Sequence, residues 1–223
     1  AAIASPFIVR WHPWSRVKTQ NWNMVYVPYC TGDIYSGDKV AVYEDEQGEE
    51  EPLVWHHNGI RNTRAVVAWL KENMQRPSQL LATGCSAGGI GSLTNYYPLR
   101  SDLEPDKGFL IDDSGPAFPS PTEGDPAQYP SLPLQNTIRD AWGLDQENGP
   151  LEYLQARMPL FDENDLGTLY RAMATQLPED RMGHTHFWED LNYSSYSYER
   201  FYAELLNAPD QETLEAGLHE NWG

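Results

Sequence analysis

The sequence predicts an α/β fold: a mostly parallel sheet flanked by helices, with a helical cap or insertion over it. Three observations carry that expectation. Short runs rich in β-branched and aromatic residues alternate with stretches of helical apolar spacing, in the order strand, helix, strand, helix, strand. Each strand-like run ends at Gly, Asp, Ser or a similar turn former. A chain of 223 residues that is 40% apolar and 22% charged is also rich enough to build a core, which excludes wholesale disorder.

The first predicted strand is 23–29 (NMVYVPY), buried and closed by the turn-prone CTGD. A helix over 62–74 follows, with Ala65, Val66, Ala68, Trp69 and Leu70 at roughly helical spacing and Asn62 or Thr63 as its N-cap. Residues 79–83 (QLLAT) form a second strand, stopped by Gly84, and 90–97 continue as helix until Pro98. The third strand, 107–111 (KGFLI), runs into Asp112, Asp113, Ser114 and Gly115. Between Pro116 and Pro133 the density of Pro, Ser and Gly predicts an excursion over the surface. Short helices are expected over 135–177, with Trp142, Leu154, Met158, Leu169, Met173 and Leu177 as their apolar points. Residues 181–188 (RMGHTHFW) read as a fourth strand, and 199–206 and 212–218 as helices. Together these make one domain over 1–223, with 116–177 as a cap or insertion within it. The acidic run EDEQGEEE at 44–51 reads as a solvated loop.

Charge narrows the partners. Fifteen Lys and Arg stand against 33 Asp and Glu, a net charge of −18, which repels nucleic acid and anionic membranes at long range. Neither is an expected partner. Only four of the basic residues are lysines, as suits a salt-tolerant or an exported acidic protein, and an extracellular or periplasmic location is expected. No run approaches the roughly eighteen apolar residues of a membrane span, and the first residues lack the charged start and apolar middle of a signal peptide. Cys30 and Cys85 cannot make a disulfide framework. They are expected as buried free thiols at the ends of neighbouring strands, with a disulfide between them as the alternative. The six histidines, among them the pairs His56–His57 and His184–His186, show no HExxH or Cys/His zinc spacing, so no metal site is expected.

Gly84-Cys85-Ser86-Ala87-Gly88 fits G-x-S-x-G between a predicted strand and a predicted helix. Small residues there allow a tight turn that lifts a serine hydroxyl above the sheet's carboxyl edge, with the following amide aimed at a developing oxyanion. Ser86 is therefore the expected nucleophile and Ala87 the oxyanion residue. A serine nucleophile needs a base and an orienting acid, which α/β-hydrolases supply in the chain order Ser, Asp or Glu, His. Asp190, just past the fourth strand, is the expected acid; Glu189 and Asp113 are its rivals. His184 and His186 precede Asp190, and His219 alone follows it, on a terminal helical stretch where a surface role is the simpler reading.

Four segments together resemble the pectin acetylesterase/Notum family of carboxylesterases, in its bacterial branch. They are NWNMVYVPYCTGDIYSGD at 21–38, HHNGIRNT at 56–63, GCSAGG at 84–89 and LIDDSG at 110–115. The resemblance is good over about 6–115, thins through the cap, and returns around LYRAMATQLPEDR and the final ENW. It implies an α/β-hydrolase-like fold and ester deacylation through a Ser-Asp-His triad, without a cofactor. Ser86 matches the nucleophile, Ala87 the oxyanion residue and, more loosely, Asp190 the acid. The resemblance also implies that a glycine-rich oxyanion loop and the histidine motif lie off the two ends of this chain, so the catalytic histidine is expected beyond Gly223, with His219 as the alternative. On that basis the isolated chain is expected to be nearly inactive. The expected substrate is an acylated carbohydrate or a small ester. The alternatives are a non-catalytic member of the fold, and a polyester depolymerase or peptidase built on it. Trp188, Tyr193, Tyr196 and Tyr198 are candidate exposed aromatics for a sugar cleft.

Overall fold

A computed structural model of the chain describes residues 18–45 and 47–222. An antiparallel hairpin of β1 (Lys39–Tyr43) and β2 (Leu53–His57) comes first, its acidic connection exposed and held by Asp45, whose carboxylate accepts the amides of Gln47, Glu49 and Glu50. Helix α1 (Gly59–Asn73) leads to the second sheet, of β3 (Gln79–Cys85), β4 (Lys107–Asp113) and β5 (Arg181–Thr185), all parallel and in that spatial order. Helix α2 (Ala87–Leu103) joins β3 to β4. The long β4–β5 connection carries α3 (Leu132–Trp142), α4 (Pro150–Gln155), a 3₁₀ turn at Leu166–Thr168 and α5 (Leu169–Gln176). After β5 come α6 (Leu191–Ser194), a π-type turn (Ser195–Glu199), α7 (Ala203–Leu206) and α8 (Gln211–Trp222). No helix among the described residues is long and apolar enough to cross a membrane.

The main apolar core joins the parallel sheet, α2 and the β4–β5 connection, and a second, smaller cluster of Tyr198, Leu205 and Leu218 packs α7 and α8. Ala82 of β3, Leu110 of β4 and Leu93 and Tyr96 of α2 share a buried cluster with Leu134, Ile138 and Trp142 of α3, and with Leu154, Met158, Phe161, Leu169 and Met173. Burying one such side chain contributes about 1.5–3 kcal/mol. Residues 132–173 thus pack into the same core as the sheet. The expected apolar points along them are buried, Leu177 in part.

Several expectations are corrected. Residues 23–29 form no strand: Val25 and Tyr26 are 52% and 77% exposed, and the run belongs to no ladder. Its composition fits a pleated surface only where a neighbour exists to pack on, and Pro28 lacks a ladder donor. The segment is instead tied to its own turn, with Tyr35 Oη donating to the Val27 carbonyl at 3.3 Å and the Ile34 amide donating to Tyr29 Oη at 3.0 Å. Helix α1 starts at Gly59, not near Asn62, because the Gly59 amide meets the Asp33 carboxylate at 2.8 Å. Pro98 does not stop α2. Tyr96 Oη and Arg100 Nε both donate to Asp180 Oδ2 at 2.8 Å, and these bonds straddle the proline and hold the helix across it. The segment after β4 is no simple surface excursion, since Gly115, Pro116, Ala117 and Ser120 are buried. Strand β5 ends at Thr185, leaving Phe187 and Trp188 outside the ladder, and extended backbone at Tyr202 breaks the helix expected over 199–206.

Candidate active site at the carboxyl edge of the parallel sheet

Ser86 joins β3 to α2 with φ 57° and ψ −121°, a conformation that a residue with a Cβ rarely adopts. Three backbone bonds hold it there. Its amide donates to the Asp113 carbonyl at 2.8 Å, and its own carbonyl accepts from the amides of Gly89 at 2.8 Å and Ile90 at 3.2 Å. The glycines around it have different tasks. A methyl on Gly84 would overlap the Gly88 carbonyl, and one on Gly115 would lie 2.7 Å from the Ser86 carbonyl oxygen, whereas one on Gly88 would meet nothing within 4 Å. Ser86 is exposed. Ala87 opens α2, where first-turn amides have no intrahelical acceptor and the helix dipole favours negative charge. An exposed hydroxyl beside such an amide is an arrangement suited to acyl transfer.

The Tyr-Cys-Thr-Gly-Asp turn braces this helix. Asp33 is fully buried and accepts from Thr31 Oγ1 at 2.7 Å and from the Gly59 amide, with His57 Nδ1 3.9 Å away. Gly32, Ile34 and Tyr35 all have positive φ, which folds the turn tightly against α2. There Asn95 Nδ2 donates to the Tyr35 carbonyl at 3.2 Å, and Ser36 Oγ and Thr94 Oγ1 lie 3.0 Å apart. Neighbouring His57 is buried, with its Nε2 2.8 Å from Tyr43 Oη, and burial lowers its pKa.

The two aspartates that end β4 face opposite sides of the sheet, as strand alternation requires. Asp113 faces the elbow side, accepting from Ser114 Oγ at 3.2 Å and Thr185 Oγ1 at 3.1 Å. Desolvation first, and then the Asp113 and Asp190 carboxylates, push the Cys85 thiol pKa up, so both acids act on the residue next to Ser86. Asp190 is half-buried and caps α6, its Oδ1 accepting the Tyr193 amide at 3.0 Å. Glu189 beside it is exposed. Asp112 takes the opposite, α2-packed face, against Gly89 of the first helical turn and within a buried polar cluster, accepting from Tyr170 Oη at 2.7 Å and facing His184 Nδ1 at 3.0 Å. Burial pushes its carboxyl pKa up against the lowering effects of Tyr170 and His184. His184 Nε2 in turn lies 2.7 Å from His186 Nδ1.

The structure therefore gathers Ser86, Ala87, Asp113 and Asp190 around the elbow, and it joins His219 to none of them by a hydrogen bond. His219 lies half-buried on α8 with Nε2 buried and without a hydrogen-bond partner. Among the described residues no histidine is hydrogen-bonded to Ser86. The Asp112–His184–His186 line was missed by sequence reasoning, although the alternation of LIDD already sent one aspartate inward. Cys30 and Cys85 are free, as expected, but exposed rather than buried: Cys30 lies on an irregular segment and Cys85 at the open end of its strand. Of the four proposed aromatics, Trp188 and Tyr196 are exposed at 87% and 52%. Tyr198 is instead a core residue, its hydroxyl 3.2 Å from Ser131 Oγ, and Tyr193 is half-buried, donating to the Pro116 carbonyl at 3.1 Å. Phe187, not anticipated, is exposed. A polar cleft of about 700 Å³ lies elsewhere, lined by Lys39, Arg139, Asp140 and Asp145 and by no residue of the elbow.

Comparison with known proteins gives a family match over part of the chain. The pectinacetylesterase family matches residues 16–118. The chain is 31% identical over 84 residues to a palmitoleoyl-protein carboxylesterase NOTUM of Schmidtea mediterranea, and 30% identical over 91 residues to pectin acetylesterase 4 of Arabidopsis thaliana. These alignments cover 38% and 39% of this chain but only 15% and 20% of the two relatives. The solved Wnt deacylase Notum from Drosophila aligns with 88% of this chain and 52% of its own, at 20% identity and a TM-score of 0.49. The matched segment, residues 16–118, holds the Asp33 turn, the Ser86 elbow and the paired aspartates of β4, and over that segment the chain matches the pectinacetylesterase family.

Proposed function

We propose that this chain is a serine carboxylesterase that removes acyl groups, acetyl foremost, from a carbohydrate or a small ester. The observation that carries the reading is the strained, exposed Ser86 between a parallel strand and a helix N-terminus. In the proposed cycle Ser86 Oγ attacks the acyl carbonyl while its proton passes to an imidazole. The oxyanion that forms faces the Ala87 amide. Collapse expels the alcohol, which takes the proton from the imidazolium, and water then repeats the sequence on the acyl-enzyme to release the acid. Asp190 is the carboxylate assigned to orient the imidazole; His219, the alternative base on this chain, makes no hydrogen bond to Ser86 or Asp190 in this structure. The net charge of −18 argues against a polyanionic substrate, so neutral acetylated sugars or small acyl esters are the preferred class over acetylated pectin.

One observation favours a second reading, a non-catalytic member that keeps the fold: no described histidine is hydrogen-bonded to Ser86. A single experiment separates the two. The full chain and its Ser86→Ala variant are treated with a fluorophosphonate and assayed on acetylated xylose and acetylated pectin at low ionic strength. Labelling and turnover lost together in Ser86→Ala support the esterase. Labelling that persists in the variant puts the nucleophile elsewhere, and a folded wild type that neither labels nor turns over removes the esterase reading for the 223-residue chain. Preference for pectin would defeat the substrate assignment alone.

A further inference from the structure

We propose that His184 and His186 form a two-histidine binding site for a divalent transition-metal ion of the zinc or nickel type, oriented by buried Asp112. His184 lies in β5 and His186 is the first residue past its end, and the two rings stand on one side of the chain. The rings lie 4.8 Å apart, with Nε2 of His184 and Nδ1 of His186 facing each other across 2.7 Å. Asp112, with only 1% of its side chain exposed, accepts from His184 Nδ1 at 3.0 Å and is itself held by Tyr170 Oη at 2.7 Å. This is the outer arrangement that fixes a metal-binding imidazole: a carboxylate on one nitrogen leaves the lone pair of the other pointing outward. With Nδ1–H of His184 committed to Asp112, the short contact between the rings needs Nδ1–H of His186.

The ion takes the place of that shared proton. His186 moves its proton from Nδ1 to Nε2, both facing nitrogens offer lone pairs, and no proton is released overall. Bonds of about 2.0–2.1 Å at a tetrahedral angle require the nitrogens to stand about 3.3 Å apart, so the two rings separate slightly from their 2.7 Å contact when the ion enters. Imidazole nitrogens select zinc, nickel or copper, whereas magnesium and calcium take oxygen ligands. Among the described residues no three His, Cys, Asp or Glu side chains gather as a ready metal cage, so water completes the shell and the ion is exchangeable. The site lies two strands from Ser86 and does not depend on the esterase reading.

The test is calorimetric titration of the full chain with zinc chloride at neutral pH, alongside His186→Ala, Asp112→Asn and a magnesium control. One zinc event is expected in the wild type, absent in His186→Ala and weakened about 10–100-fold in Asp112→Asn. A zinc-dependent rise in the thermal midpoint should likewise be confined to proteins that keep both rings. His186 is exposed, and a His186→Ala variant whose far-ultraviolet circular dichroism matches the wild type decides the matter even if Asp112→Asn unfolds. Zinc binding unchanged in His186→Ala would reassign the signal to surface carboxylates and overturn the site. Absence of zinc binding in the wild type, or equal binding of magnesium, would overturn it too.

Discussion

Replacing the two glycines of the G-x-S-x-G motif by alanine, one at a time, should have effects of opposite sign. A methyl on Gly84 would overlap the Gly88 carbonyl and lie 2.8 Å from the Gly88 Cα. Those atoms are backbone of the first turn of α2, so no side-chain rotation relieves the clash, and either β3 or the helix start must shift. Overpacking of this kind costs about 1–3 kcal/mol, and rigid neighbours put Gly84→Ala at the upper end. A methyl on Gly88 meets nothing within 4 Å, and Gly88 sits inside α2, where alanine is preferred over glycine by up to about 1 kcal/mol. For a chain of this size each kcal/mol moves the thermal midpoint by roughly 2–4 °C. Gly84→Ala should therefore melt about 6–12 °C below the wild type and Gly88→Ala up to about 4 °C above it. Thermal and urea unfolding of the three proteins measure the difference, and fluorophosphonate labelling reports whether Ser86 is still presented. Equal destabilisation by both substitutions would mean that the elbow is not packed as described.

Three more outcomes follow from other parts of the molecule. Asp180 is buried and accepts from Tyr96 Oη, Arg100 Nε and the Gly108 amide, so Asp180→Ala should cost about 3–5 kcal/mol in urea unfolding by leaving the Arg100 guanidinium without its carboxylate; a cost below 1 kcal/mol would contradict that linkage. His57 has its pKa lowered in the fold, so between the folded value and about 6.5 the unfolded chain binds the extra proton. Its contribution is present above about pH 6.5 and lost as the pH falls, and His57→Gln should flatten that part of the stability profile; the raised Asp112 carboxyl runs in the opposite sense and remains in both proteins. If the esterase reading holds, Asp190→Asn should lower kcat by about 10⁴-fold while leaving the α6 cap intact, since asparagine caps as well as aspartate. An unchanged rate would move the role to Asp113 or Glu189.

The elements legible from sequence were those whose reasons are local. Parallel strands at 79–85 and 107–113 and the intervening helix follow from apolar runs and the glycines at their ends, and the elbow follows because few residue types tolerate the Ser86 conformation. The hairpin of β1 and β2 went unread because its two runs, KVAVY and LVWHH, flank an acidic stretch that dominates composition. Residues 23–29 misled for the converse reason, with strand-like composition but no strand to pair with. The inward turn of Asp112, the buried role of Asp33 and the grip of Asp180 on α2 depend on partners 26–84 positions away, which no local pattern displays. The base was the least legible component. Histidine has no positional signature of its own, and its assignment rests on contacts.

The strain at Ser86 and the arrangement of β4 are one design. A residue held in a sparsely populated conformation costs about 1–3 kcal/mol. The three backbone hydrogen bonds made by Ser86 each contribute about 0.5–1.5 kcal/mol, enough to offset that cost. One of them comes from Asp113, whose position depends on Asp112 being anchored on the other face by Tyr170 and His184. Gly89 and Gly115 let the first turn of α2 and the end of β4 approach to contact, since a methyl on either would press on the Asp112 carboxylate. The serine is thus held up from below by the strand beside its own. For this reason the buried aspartate that takes no part in the proposed chemistry belongs to the site as fully as the exposed one, and any perturbation of Asp112, by substitution or by an ion on His184, should be felt first in the geometry of Ser86.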